Sequence, residues 1–378
     1  MNQNLTNLRN ELNSIFIERG NVIDGCLASV IAGEHVLLLG PPGTGKSALA
    51  RAIAQAFGAK YFETLLSRFT VPEELFGPVS LKALEQDQFV RLTTGKLPEC
   101  EVGFVDEIFK ASSAILNTLL TIANERVFHN GGQPVTCPLV TLFAASNELP
   151  EGQELEALFD RFLIRFQLNY MVRETSFRTV VTGAEPAIQT QLDLTALQQA
   201  QWAAQQVKVP DATYDAIIAI RDACRTDGIV ASDRRWKKLI KLIRATAYLA
   251  GEKTAAPEDL HILADALWRD PKDRSKVARI VGRIADPTSA QAQEILDAAR
   301  ELTGKVAGLK GGDRKVYLAE AANALEQFQA QSRKLNTLAK GAGRRAKTVI
   351  ADVAAEISAL HGELGRTVSA GLGIGSAP

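Results

Sequence analysis

The chain has 378 residues, with 43 Lys/Arg balanced by 43 Asp/Glu and 46% apolar residues, which suits two or three packed domains better than a single core. Zero net charge gives no global field that would draw the chain to nucleic acid or lipid. No apolar run approaches a membrane span, the N-terminus shows no signal-peptide pattern, and Cys26, Cys100, Cys137 and Cys224 form neither a metal-ligand spacing nor a disulfide framework, so a reduced, cytoplasmic protein is expected.

In chain order, residues 4–32 predict two amphipathic helices with a break at Gly20-Asn21. From 35 to about 168, strand-like runs alternate with helical ones, the signature of βαβ units on a parallel sheet. Strands are expected at Val36–Leu39, Lys60–Leu65, Val102–Val105, Leu139–Ala145 and Phe162–Leu168. Beyond Tyr170 the strand pattern ends, and segments near 195–206, 211–226, 232–250 and 257–268 read as a smaller helical domain. Asp286-Pro287 marks a joint, after which 288–303, 314–339 and 344–366 carry apolar residues at helical spacing. Gly-rich breaks at Lys310-Gly311-Gly312 and Lys340-Gly341-Ala342-Gly343 separate them, and the tail Ala370–Pro378 is expected to be disordered. The expected fold class is α/β, divided into 1–170, 171–285 and 286–378.

The most specific motif is Gly40-Pro41-Pro42-Gly43-Thr44-Gly45-Lys46-Ser47, which fits G-x-x-x-x-G-K-[ST]. It follows the apolar stretch His35–Leu39 and leads into a helix former beginning at Ala48, the strand–loop–helix context such a match requires. Glycines let backbone N–H groups turn inward around phosphate oxygens, and the helix N-terminus adds partial positive charge. Lys46 can reach the β and γ phosphates and Ser47 can ligate Mg²⁺, so the cradle from Gly40 to Ala48 is expected to bind a nucleoside triphosphate. A plain Gly/Pro turn with a solvated lysine is the alternative.

Four further stretches join this loop. Val102–Val105 is an apolar strand ending in Asp106 and Glu107: Asp106 would hold Mg²⁺ and Glu107 would polarise the attacking water, unless the acids merely cap the next helix. Asn147 ends the next strand, where its amide could bond both the γ phosphate and that water, or simply open a turn. Arg161 and Arg165 flank the start of the last strand; Arg161 could project to a neighbour's γ phosphate, or pair with Asp160 or Glu156. Ser232 or Asp233 caps a helix whose first turn holds Arg234, a cation at the positive helix end that suggests an external anion, whereas Lys237, Lys238 and Lys241 read as a solvated face.

Together these stretches resemble an AAA+ ATPase of the MoxR group, and within it the RavA-like branch. The carriers are Ser67–Thr70, Glu73–Pro78, Asp106–Ala111, Ile115–Leu120, Ala144–Pro150, Leu158–Arg161 and Ser232–Trp236, in family order across roughly 5–270. The resemblance implies a P-loop core with a helical lid and a C-terminal helical region. It makes Gly40–Ser47 the Walker A loop, Asp106-Glu107 the Walker B pair, Asn147 the first sensor, Arg161 the arginine finger and Arg234 the second sensor in the lid. It also implies ATP and Mg²⁺, a homo-oligomeric ring, usually a hexamer, a partner with a von Willebrand factor A domain, and a protein client that is remodelled or activated.

The family's inserted strand–helix element is expected at 68–97, with a turn at Thr93–Lys96, and a hairpin tipped by Phe128–Gly132 is expected before the Asn147 strand. Phe128 and His129 would grip a substrate or pack as in an ordinary Gly-Gly hairpin. No strand-rich block follows Pro287, so a partner that depends on the β-rich insertion of some RavA-like proteins is not supported; the link near 304–313 is where it would be missing. The cluster Arg344, Arg345 and Lys347 reads as a solvated helix face, or less simply as a site for an acidic or nucleic-acid partner. Three rival functions stand beside the motor: a metal-chelatase subunit, a nucleic-acid motor that the neutral charge disfavours, and a nucleotide-gated scaffold that barely hydrolyses ATP.

Overall fold

The structure, a computed structural model, describes residues 3–150, 152–183, 188–309 and 312–372. Helices α1 (Gln3–Ile15) and α2 (Gly20–Ala32) come first; α1 buries Leu5, Leu8 and Leu12 along one stripe, and the break falls just before Gly20. Then follow β1 (His35–Leu39), α3 (Lys46–Ala56), β2 (Tyr61–Leu65), two short helices α4 (Pro72–Phe76) and α5 (Leu81–Leu84), β3 (Val102–Asp106) and α6 (Ser113–Glu125). A hairpin β4 (Val127–Asn130) and β5 (Gln133–Thr136) precedes β6 (Thr141–Ser146), α7 (Gln153–Phe159) and β7 (Phe162–Gln167).

Five of these strands form one parallel sheet in the order β2-β3-β6-β1-β7. Its central strands β1 and β6 are buried along their whole length, which is why they read as unbroken apolar runs, while edge strand β2 alternates. Because the strands are parallel, the sheet has an upper edge where all of them end and a lower edge where all of them begin. The 68–97 insert is two short helices tied by a single Val79–Arg91 bridge rather than a strand–helix unit, and its Thr93–Lys96 turn closes through Lys96 N–H donating to Thr93 O at 2.9 Å. Phe128 is buried and stacks on Phe76 at 5.7 Å, so of the two hairpin residues only His129 is exposed.

The helices after the sheet are α8 (Glu174–Thr182), α9 (Leu194–Gln205), α10 (Asp211–Thr226), α11 (Asp233–Leu249) and, after a 3₁₀ stretch at Pro257–Asp265, α12 (Arg274–Ala285). The sequence reading lacks α8 and α12. Buried residues from Leu5 to Ala285 form one continuous cluster, so sheet and helical segment share a core. The last helices, α13 (Pro287–Gly308), α14 (Arg314–Ala339) and α15 (Arg344–Leu372), form a bundle with its own core around Leu296, Phe328 and Ile357.

Two expectations for this region change. Helix α13 runs through Gly304 to Gly308, and α15 runs to Leu372, so 370–372 is helical; Lys310, Gly311 and 373–378 lie outside the described residues. Arg344 and Arg345 are not a solvated face. Arg344 pairs with Asp259 at 2.7 Å and Glu252 at 3.0 Å, and the Arg345 backbone N–H donates to Glu258 Oε2 at 3.0 Å, which clamps α15 to the 3₁₀ stretch. All four cysteines are free and buried, and burial pushes the Cys100 thiol up to about 12 and those of Cys137 and Cys224 to about 11. No helix among the described residues is long and apolar enough to cross a membrane.

Candidate nucleotide site on two edges of one sheet

The upper edge gathers the loop and the polar strand ends. Gly40 leaves β1 with its N–H bonded to Ser146 O at 3.0 Å, and a Cβ there would lie 2.3 Å from the Leu168 carbonyl, so the packing against β7 admits only glycine. Gly45 caps α3 at φ 83°, a left-handed turn that brings the loop onto the helix N-terminus. Thr44 Oγ1 donates to Pro41 O at 3.0 Å. Lys46 is 92% buried and donates through Nζ to the carbonyls of Gly40 at 2.7 Å and Pro41 at 3.0 Å, so the loop folds over its own lysine. Burial lowers the Lys46 pKa from its ordinary value, against the opposing pull of Asp106 and Glu107.

Asp106 and Glu107 close β3, two strands from β1, and α3 packs on that strand. Asp106 Oδ1 accepts the Glu107 N–H at 2.9 Å, and Glu107 sits in the left-handed region at φ 53°. Asn147 follows β6 directly beside Gly40. The turn after β6 is held by the Ser146 hydroxyl, which donates to Glu148 O at 2.9 Å, and Asn147 stays exposed. The sequence-selected Gly40–Ala48, Asp106, Glu107 and Asn147 therefore share one edge. Their chemistry fits a triphosphate with a small hard cation: N–H groups and an ammonium for phosphate, and the Asp106 carboxylate with the half-buried Ser47 hydroxyl for Mg²⁺.

Arg161 and Arg234 lie on the opposite edge. Arg161 precedes the first residue of β7, whose register pairs His35 with Phe162 below and Leu39 with Gln167 above. Arg234 Nη2 donates to Asn124 Oδ1 at 3.2 Å, at the end of α6. Ser232 Oγ caps α11 by accepting the Arg235 N–H at 3.2 Å. Lys238 and Lys241, expected on a solvated face, instead pair at 2.7 and 3.6 Å with the buried Glu34, which enters β1. The five-residue strand β1 sets the edges about 15 Å apart. Arg234 is thus not over the loop of its own chain, as a lid sensor would be; it shares a small crevice with Arg161, Asn124 and Lys238.

Two buried arginines of this edge, Arg165 and Arg235, are structural. Arg165 is fully buried, donates to Trp268 O and to Phe159 O at 3.3 Å, and stacks on the Phe159 ring at 4.1 Å, which removes it as an arginine-finger alternative. Arg235 is 5% exposed and collects the carbonyls of Leu163 and Ala266, each at 2.6 Å, with Asp160 at 3.4 Å; burial brings its pKa down to about 10. Arg161 forms no ion pair with Asp160 or with any other described residue, and its Nε is buried without a partner. The sequence reading missed the role of Arg235, because its partners are backbone carbonyls that no spacing announces.

A parallel sheet of this strand order, with a phosphate loop after its first strand and helices packed behind, defines an AAA+ α/β fold. A solved structure of a presumptive ATPase from Cytophaga hutchinsonii superimposes with a TM-score of 0.61 over 75% of this chain and 93% of that one, at 17% identity. Residues 3–207 match the family described as the MoxR domain in the MoxR-vWA-beta-propeller ternary systems, and residues 212–281 match an AAA lid domain. The chain belongs to the MoxR group of AAA+ ATPases. An uncharacterized protein of Methanocaldococcus jannaschii is 43% identical over 297 residues, covering 78% of this chain and 77% of its own. Chaperone MoxR1 of Mycobacterium tuberculosis is 24% identical over 280 residues, covering 68% and 72%.

Proposed function

We propose that the chain hydrolyses ATP in a homo-oligomeric, hexameric ring whose nucleotide sites form between subunits, and that it uses the cycle to remodel or activate a client. The observation that carries this is the separation of Lys46, Glu107 and Asn147 from Arg161 and Arg234 by the length of the sheet. No single copy can bring both sets to one phosphate; a head-to-tail contact can.

In this reading the Gly40–Ala48 cradle holds the phosphates and Lys46 leaves its own loop carbonyls to meet them. Ser47 and Asp106 would hold Mg²⁺, whose contribution is to neutralise phosphate charge. Glu107 and Asn147 orient the water for in-line attack, and the neighbour's Arg161 and Arg234 stabilise the charge that develops. Residues 1–170 act as the core, 171–285 as the lid and 286–378 as an appended arm. The matched family's description supports a partner with a von Willebrand factor A domain. Placement on the RavA-like branch rests on Leu75–Pro78 and Ser232–Trp236, and a cytoplasmic location is the accompanying expectation.

ATP turnover per subunit, measured against protein concentration, tests the reading. It should rise steeply as copies associate and vanish in Glu107→Gln, which should still bind ATP. Concentration-independent turnover by a monomer would refute it.

A further inference from the structure

Glu107 has a partner inside its own turn. Its φ of 53° and ψ of 43° fold the chain into a single 3₁₀ turn, closed by Lys110 N–H donating to Glu107 O at 2.9 Å. A glutamate pays a steric cost for the left-handed region, so the turn needs other contacts to hold it. Ile108 is fully buried and Phe109 lies against Phe159 at 6.2 Å, which fixes the turn from below. The Lys110 side chain is thereby carried back over the carboxylate, with Nζ 3.3 Å from Glu107 Oε2. Glu107 is 18% exposed there and Lys110 37%, so the ammonium remains on the open side.

We propose that Lys110 is a positioning residue that holds Glu107 in a resting pose and sets the idle rate of the site. The proposal rests on the reading that Glu107 orients the attacking water. The ammonium takes one acceptor position on Oε2 and draws charge from the carboxylate, which weakens the hydrogen bond it can offer that water and turns it from the attacking line. Lys46 is in a parallel state, its ammonium spent on the carbonyls of Gly40 and Pro41. Both cations are held by the protein's own acceptors, and a triphosphate supplies competing negative charge to both. Lys46 sits on a helix and is 92% buried, so it gains the phosphates as its only new partners. Lys110 has a long, half-exposed stem and can swing away without moving the turn. A pair this exposed shifts an equilibrium by only about two- to fivefold, enough to bias a pose and weak enough to yield to substrate.

The test compares Lys110→Met, Lys110→Arg, Glu107→Gln and the double variant Lys110→Met/Glu107→Gln in the full chain. At saturating ATP, Lys110→Met should raise kcat about two- to fivefold with KM within about twofold, and Lys110→Arg should restore the wild-type rate. Thermal midpoints supply a readout independent of turnover. Without nucleotide, the effects of Lys110→Met and Glu107→Gln should be non-additive; with Mg²⁺ and a non-hydrolysable ATP analogue the coupling should weaken without vanishing. A lower kcat in Lys110→Met, additivity without nucleotide, or coupling unchanged by the analogue would each overturn the proposal. Should Glu107→Gln keep full turnover, the water-orienting reading itself fails; if it is inactive while Lys110→Met behaves as wild type, only the Lys110 proposal fails.

Discussion

The two edges of the sheet use their charged residues in opposite ways. On the upper edge Lys46, Asp106, Glu107 and Asn147 make few and local contacts, all of which a ligand could replace. On the lower edge Arg165, Arg235 and Glu34 are buried and tied to backbone carbonyls or to α11, whereas Arg234 is exposed and the half-buried Arg161 forms no ion pair with a described residue. One edge is built to receive; the other is a rigid mount that presents two cations. A rigid mount suits residues that must reach into another copy, because what they stabilise is set by where the whole edge docks.

Changes on the two edges should separate in kind. The largest effect on turnover is expected from Lys46→Ala, which removes the phosphate-facing ammonium and should cut kcat/KM by at least about 100-fold, together with nucleotide affinity in calorimetric titration. Arg161→Ala and Arg234→Ala should lower kcat by about 10- to 1000-fold while affinity stays within about threefold, since neither lies at its own loop. Arg165→Met and Arg235→Met should instead act on stability, because each strands buried carbonyls and Asp160: about 3–5 kcal/mol by denaturant unfolding, against less than about 1 kcal/mol for Arg161→Ala.

The smallest expected effect is on pH dependence. Burial holds His35 neutral with its pKa well below the ordinary value, Arg126 adding to this, and lowers that of His261 to about 3. Unfolded, both titrate near 6.5, so as pH falls the unfolded chain takes up protons first. Stability from these groups is complete above about pH 6.5 and drains below it, by up to about 1.4 kcal/mol per pH unit for each. Between pH 7 and 5, unfolding curves of His35→Gln and His261→Gln should each flatten relative to wild type.

How much of this was legible in the sequence differs between the edges for a physical reason. The upper edge is local: Gly40–Ser47 and Asp106-Glu107 are contiguous runs at strand ends, and the buried strands announce themselves as apolar stretches. The lower edge is assembled over long separations. Lys238 meets Glu34 from 204 residues away, and Arg235 meets carbonyls of Leu163 and Ala266. Nothing in the spacing of Ser232–Trp236 says on which edge α11 comes to rest, so the sequence suggested an anion near Arg234 without showing whose site holds it. Helix α12 was missed because Gly282 falls within it and Pro271 stands just before it, although Val277, Val281 and Ala285 keep a four-residue spacing. Helix α8 was missed because it is almost wholly exposed.

Mixing two inactive variants tests the central claim most directly. An Arg161→Ala subunit keeps a working loop and a Lys46→Ala subunit keeps a working arginine, so an interface between them has every part. If the site is shared, the mixture should regain ATP turnover that neither variant shows alone, at roughly a quarter of the interfaces for random assembly. If Arg161 serves its own chain, no mixing ratio will restore activity.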